Sequence, residues 1–158
     1  ATRRPVATHT PVRTPTPTVT PVPAAFESGG LGQPLTWWEK KYGAGEDEFG
    51  FTRFGPYLVM SLGDDRVTYV EVQFDPEVTV DYADGFMAAM RPRDAKLIKT
   101  YSPEGRPEAL VDLYSSASLA AQFQDDVWTG GEPGQFTVLY KVFDEGVASV
   151  MVMTGNNP

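Results

Sequence analysis

The chain predicts an α+β domain: an antiparallel sheet of about six strands with about three short helices packed on one face, preceded by a disordered Thr/Pro-rich tail. Three observations carry that expectation. Helical periodicity and strand alternation recur in three helix-then-hairpin units, over 36–74, 80–114 and 116–154. Within each unit the strand patterns are separated by a few turn-forming residues, the spacing of antiparallel hairpins. Composition also changes near residue 30, from alternating Thr and Pro to aromatic and aliphatic residues. The chain therefore divides into a stalk or linker over 1–30 and a single domain over 31–158.

Residues 1–25 read ATRRPVATHTPVRTPTPTVTPVPAA. So few large apolar residues cannot offset the entropy of ordering, and proline makes such a tract extended and semi-rigid. Tracts of this kind resemble the stalks of secreted or surface-anchored proteins. The chain is therefore expected outside the cytoplasm, secreted or on a bacterial cell surface, with a signal peptide or lipid anchor possible upstream of Ala1. No run of 18 apolar residues is present, so no transmembrane segment is expected. Scarce Asn, absent Cys and plentiful Pro suit a thermophilic source. The three tail arginines, Arg3, Arg4 and Arg13, face no acid in the tail, so the net charge of −8 understates the acidity of the domain. Such a domain repels nucleic acid and anionic lipid.

The first helix is expected over 36–42. Thr36 and Glu39 have capping-box spacing, Lys40 and Lys41 suit the last turn, and Gly43 suits the stop. Leu35, Trp38 and Tyr42 share one face, which must be buried for so short a helix to persist. Glu46, Asp47 and Glu48 read as a solvated loop that matches no calcium-binding spacing. Strands follow over 57–62 and 67–74, where Val70, Val72 and Phe74 alternate with Glu71 and Gln73. A second helix over 80–91 presents Phe86, Met87 and Met90 and stops before Pro92. Strands over 95–101 and 108–114 flank a turn-rich connection. A third helix over 116–124 has Ser116 or Ser118 as cap, and a last hairpin occupies 136–154. The first and third hairpins align without gaps, matching Asp64 to Asp144, Val67 to Val147, Val70 to Val150 and Val72 to Val152.

Familiar catalytic patterns are missing. The absence of Cys excludes disulfides, thiol nucleophiles and thiolate-bound metal. The only histidine, His9, is in the tail, so the domain has no Ser-His-Asp triad and no histidine-ligated metal. No phosphate-binding glycine motif separates a strand from a helix. The reading is of no enzyme, no catalytic residues, no cofactor and no metal. Paired carboxylates are the one remaining catalytic route; Asp112 and Glu71 lie in alternating strands and are expected to face solvent. Aromatic residues are the other carriers of function: Trp37, Trp38, Tyr42, Tyr57, Tyr69, Trp128 and Tyr140. Trp37, Trp128 and Tyr69 form the candidate aromatic binding patch. Trp37 lies off the buried helix face, and Trp128 sits in a polar Gly-rich loop.

The stretch Gly32, Thr36, Glu39, Tyr42 and Gly43, followed by the hairpin over 57–74, resembles the helix-plus-sheet modules of the β-lactamase-inhibitor-protein-like fold. That fold includes small bacterial envelope lipoproteins. The spacing departs from the pattern, since Gly32 stands four residues before Thr36 where two are usual. The resemblance implies extracytoplasmic binding without catalysis and transfers no functional residue. The expected function is a non-catalytic binding or interaction domain on a Thr/Pro-rich stalk, taking a protein or carbohydrate ligand. The alternatives are a small carboxylate-dependent hydrolase and a structural or assembly domain of the cell envelope.

Overall fold

A computed structural model describes residues 25–62 and 65–158. The proposed stalk, as far as residue 24, and the turn residue Asp64 lie outside the described residues. The domain is α+β, with one antiparallel sheet and three helices. The sheet has eight strands, in the order β1-β2-β3-β4-β8-β7-β6-β5. In chain order these are α1 (Leu35–Tyr42), β1 (Glu46–Glu48), β2 (Phe51–Phe54), β3 (Tyr57–Leu62), β4 (Arg66–Val78), α2 (Val80–Met90), β5 (Lys96–Tyr101), β6 (Ala109–Ser115), α3 (Ala117–Ala120), β7 (Gln135–Phe143) and β8 (Gly146–Thr154).

The two strands beyond the expected six are β1 and β2. The acidic run 46–48 is a strand because Arg53 binds the Glu48 carboxylate through two nitrogens, one at 2.9 Å. Phe49 and Gly50 close the hairpin, both with positive φ, as a two-residue turn requires. The opening helix also differs from expectation. Thr36 is not its cap: the helix begins after Pro34 with no side-chain cap, and the Leu35 N–H donates to the Asp65 carbonyl at 2.9 Å. Gly43 ends it at φ 88°, its N–H donating to Glu39. The third helix is much shorter than expected. Its cap Ser116 accepts from the Leu119 N–H, while Asp94 accepts from Ser116, Ser118 and the Ser118 N–H.

Strand alternation divides the sheet into two sides. On one, Val59, Val70, Val72, Phe136, Val138, Tyr140, Val150 and Val152 form a single core with Trp38 of α1, Ala83, Met87 and Met90 of α2, and Leu119 of α3. On the other, a smaller cluster of Ala109, Val111, Leu139 and Met151 is flanked by Tyr69, Tyr101 and Met153. Residues 26–30, on the stalk side of the composition change, are tied to the domain. Phe26 packs on the core, the Arg93 N–H donates to the Glu27 carbonyl, and Ser28 donates to the carbonyls of Leu31 and Met90.

The β3–β4 and β7–β8 hairpins correspond in detail. Each slips register at the same place, between Met60 and Ser61 and between Lys141 and Val142. They meet through β4 and β8, with Val70 opposite Val152, Glu71 opposite Met151 and Val72 opposite Val150. Matched residues thus exchange partners about a local two-fold at Glu71 and Met151. The alignment is not gap-free, however. The turn after Leu62 is one residue longer than the turn after Phe143, so the outer strands are out of step by one.

Candidate functional site

Aromatic side chains from both long helices and the intervening strands meet in one continuous row on the helix side. Trp38 is fully buried, with its indole N–H donating to the Gly30 carbonyl at 3.1 Å. It contacts Trp37 at 5.9 Å, Tyr42 at 5.2 Å, Phe54 at 5.6 Å and Tyr57 at 5.7 Å between ring centres. Tyr57 continues the row to Phe86 at 6.3 Å, and Phe86 meets Tyr82 and Phe74, each at 5.6 Å. The rings meet in tilted and edge-on arrangements, the favourable geometries for aromatic pairs at these distances. Burial pushes the hydroxyl pKa of both Tyr42 and Tyr57 upward.

The row opens to solvent at its α2 end. Tyr57, Asp81, Tyr82, Gly85, Phe86 and Ala89 line a depression of about 450 Å³. Tyr82 is 59 % exposed, and Tyr57 and Phe86 are half-buried. Gly85 lies in the sixth position of an eleven-residue helix, and a Cβ added there would meet nothing within 4 Å. A mid-helix glycine lowers helix stability by about 1 kcal/mol relative to alanine. Gly85 has no positive φ that would require glycine and no neighbour that would exclude a Cβ.

The residues expected to form the aromatic patch do not meet. Trp37 is half-buried at the far end of the row, with the Lys41 ammonium 4.6 Å from its ring centre. Trp128 is only 6 % exposed; its indole packs edge-on against Phe123 at 5.5 Å and joins the core. Tyr69 lies on the opposite side of the sheet, beside Phe51, and donates to Glu71 at 2.6 Å. Burial and then the Glu71 carboxylate push its hydroxyl pKa far above the usual range. Tyr57 was among the aromatic carriers noted in the sequence, whereas Tyr82 and Gly85 were not. The available signal was the glycine interrupting an otherwise regular helical pattern.

A polar network joins α2 to the sheet. The Tyr140 hydroxyl donates to Asp84 at 2.7 Å, and Arg91 donates to both Asp84 oxygens at 3.2 and 3.3 Å. Arg91 also donates to the Tyr114 hydroxyl and lies 4.8 Å over that ring. Burial, reinforced by Asp84, raises the Tyr140 pKa far above its ordinary value. Asp112 is half-buried on this helix side and accepts from Thr100, correcting the expectation that it faces solvent. Among the described residues no three His, Cys, Asp or Glu side chains converge as a metal site, and no helix is long and apolar enough to cross a membrane. No family model, curated protein or solved structure matches the chain.

Proposed function

We propose that this protein is a non-catalytic binding module whose ligand occupies the aromatic depression between β3 and α2. The observation that carries the reading is Gly85. A helix gives up stability at a position where the Cβ of alanine would meet nothing, and that position lines the depression where the aromatic row opens to solvent beside α2. Rings of Tyr57, Tyr82 and Phe86 offer apolar surface, while two tyrosine hydroxyls and the Asp81 carboxylate offer hydrogen bonds at the rim. That combination suits a carbohydrate, whose ring has an apolar face and a hydroxyl edge. The Thr/Pro-rich composition of the first 25 residues supports an extracytoplasmic position on a stalk. The likeness of the Gly32–Gly43 stretch to β-lactamase-inhibitor-protein-like modules belongs to the same reading.

A screen of immobilised glycans with the full chain tests the proposal. It is expected to retain an oligosaccharide, and Tyr82→Ala is expected to weaken retention about two- to tenfold with unchanged folding, one lost stacking contact being worth about 0.5–1.5 kcal/mol. Retention of envelope proteins and of no glycan would reassign the depression to a peptide. Binding indifferent to Tyr82 would remove the depression from the account. Carboxylate-dependent hydrolysis has its best pair in Asp84 and Asp112, whose charges both act on Tyr140. It requires a free Asp84, and Arg91 and Tyr140 occupy that carboxylate.

A further inference from the structure

We infer that the two edges of the sheet are built to pair with each other between copies of this chain, β5 of one copy docking on β1 of the next. The argument starts from the exposed edge. Along β5 nearly every side chain faces solvent, with Leu97 54 % and Ile98 49 % exposed. Among the described residues nothing pairs with its outer backbone groups. Such an edge is a template for another strand. Lysines on an edge deter uncharged strands, and Lys96 and Lys99 stand on this one. They favour an acidic strand, and the opposite edge of the same sheet is Glu46-Asp47-Glu48.

Direction and side agree as well as charge. Every neighbouring pair in the eight-stranded order is antiparallel, so β1 and β5 run in opposite directions. A second copy turned so that it continues the twisted sheet edge to edge therefore presents β1 antiparallel to β5, with its helices on the same side. Register follows from the two faces. Leu97 and Thr100 pair with Tyr114 and Asp112, on the helix side, which leaves Lys96 and Lys99 on the open side. Glu46 and Glu48 are on the open side too, since Glu46 pairs with Arg53 and Arg53 with Leu58, opposite Glu71. With Ile98 set aside as the extra residue of the β5 bulge, matching sides sets Glu48 against Lys96, Asp47 against Leu97 and Glu46 against Lys99. Because β1 has only three residues, the contact is small and the association weak and salt-sensitive.

Sedimentation velocity of the full chain over a concentration series tests this. The expected result is concentration-dependent association at low ionic strength, weakened at least about tenfold in high salt. Lys96→Glu/Lys99→Glu leaves both edges acidic, and Glu46→Lys/Asp47→Lys leaves both basic while sparing the Glu48–Arg53 pair. Each variant alone is expected to be monomeric, and an equimolar mixture is expected to associate again. Lys99→Glu and Glu46→Lys singly repeat the test should either double variant fail to fold. A wild-type chain that stays monomeric at every concentration in low salt overturns the inference. So do variants that associate like the wild type, or a mixture that stays monomeric.

Discussion

Val150 and Met151 are neighbours in β8, yet they enter different environments. Val150 joins the large core with Trp38, Met87 and Leu119, where three helices cover the sheet. Met151 joins Ala109, Val111 and Leu139 on the other side, where Tyr69, Tyr101 and Met153 are the flanking apolar groups. On the first side the buried area comes from separate layers of chain; on the second it comes from side chains of the sheet itself. Layers can move apart at their margins, and the depression at Tyr57, Tyr82 and Phe86 lies at such a margin, between β3 and α2. The comparison therefore locates both stability and the candidate site on the helix side.

The largest effect that sharpens this contrast is Trp38→Ala. It removes the ring at the centre of the aromatic row and leaves the Gly30 carbonyl with the Gln33 N–H as its remaining donor, an expected loss of about 3–5 kcal/mol in denaturant unfolding. Met151→Ala is expected at about 2 kcal/mol, the low end for methionine, because its cluster is small. Equal losses would erase the distinction between the two sides. The hydroxyl deletions come next. Tyr140→Phe takes a donor from Asp84 on the helix side and is expected to cost about 1–3 kcal/mol. Tyr69→Phe on the open side is expected to cost about 0.5–1.5 kcal/mol, because Glu71 also accepts from Gln73.

A pH-dependent effect follows from Asp94. Burial raises its pKa, but hydrogen bonds from Ser116 and Ser118 outweigh that, and the folded value lies below the ordinary one. Its stabilising share is therefore present above the ordinary aspartate pKa and is lost as pH falls through the lowered folded value. Melting temperatures of wild type and Asp94→Asn are expected to differ at neutral pH and to converge in acid. A constant difference would assign Asp94 a role independent of charge. The smallest effect is a gain: Gly85→Ala is expected to stabilise by about 0.5–1 kcal/mol, since the helix loses its most flexible residue and nothing is displaced.

Much of this architecture was legible where local chemistry decides it. Gly43 stops α1, Ser116 caps α3, and the alternation of Val70, Val72 and Phe74 against Glu71 and Gln73 identifies β4. What escaped the sequence depended on distant partners. The run 46–48 reads as a solvated loop until Arg53 lies across it, and the start of α1 moves because the carbonyl of Asp65 satisfies Leu35. Trp128 in a polar Gly-rich loop read as a candidate binding residue, whereas its indole packs on Phe123, which lies beyond the end of α3. The candidate site was half legible. Tyr57 stood out as an aromatic carrier, but Phe86 read as an ordinary core-facing residue. Gly85 is legible only as an interruption of a helical pattern, and only the structure sets it on the lining of the depression.

The most direct test of the central claim is the affinity of the glycan retained in the screen for wild type and for Gly85→Leu, measured alongside their melting temperatures. Leucine at this position starts from a Cβ that meets nothing within 4 Å, on the lining of the depression. The account predicts a higher melting temperature together with an affinity at least about tenfold lower, which is about 1.4 kcal/mol of binding. A more stable Gly85→Leu that binds as tightly as the wild type would contradict it, because Gly85 would then keep no space for a ligand.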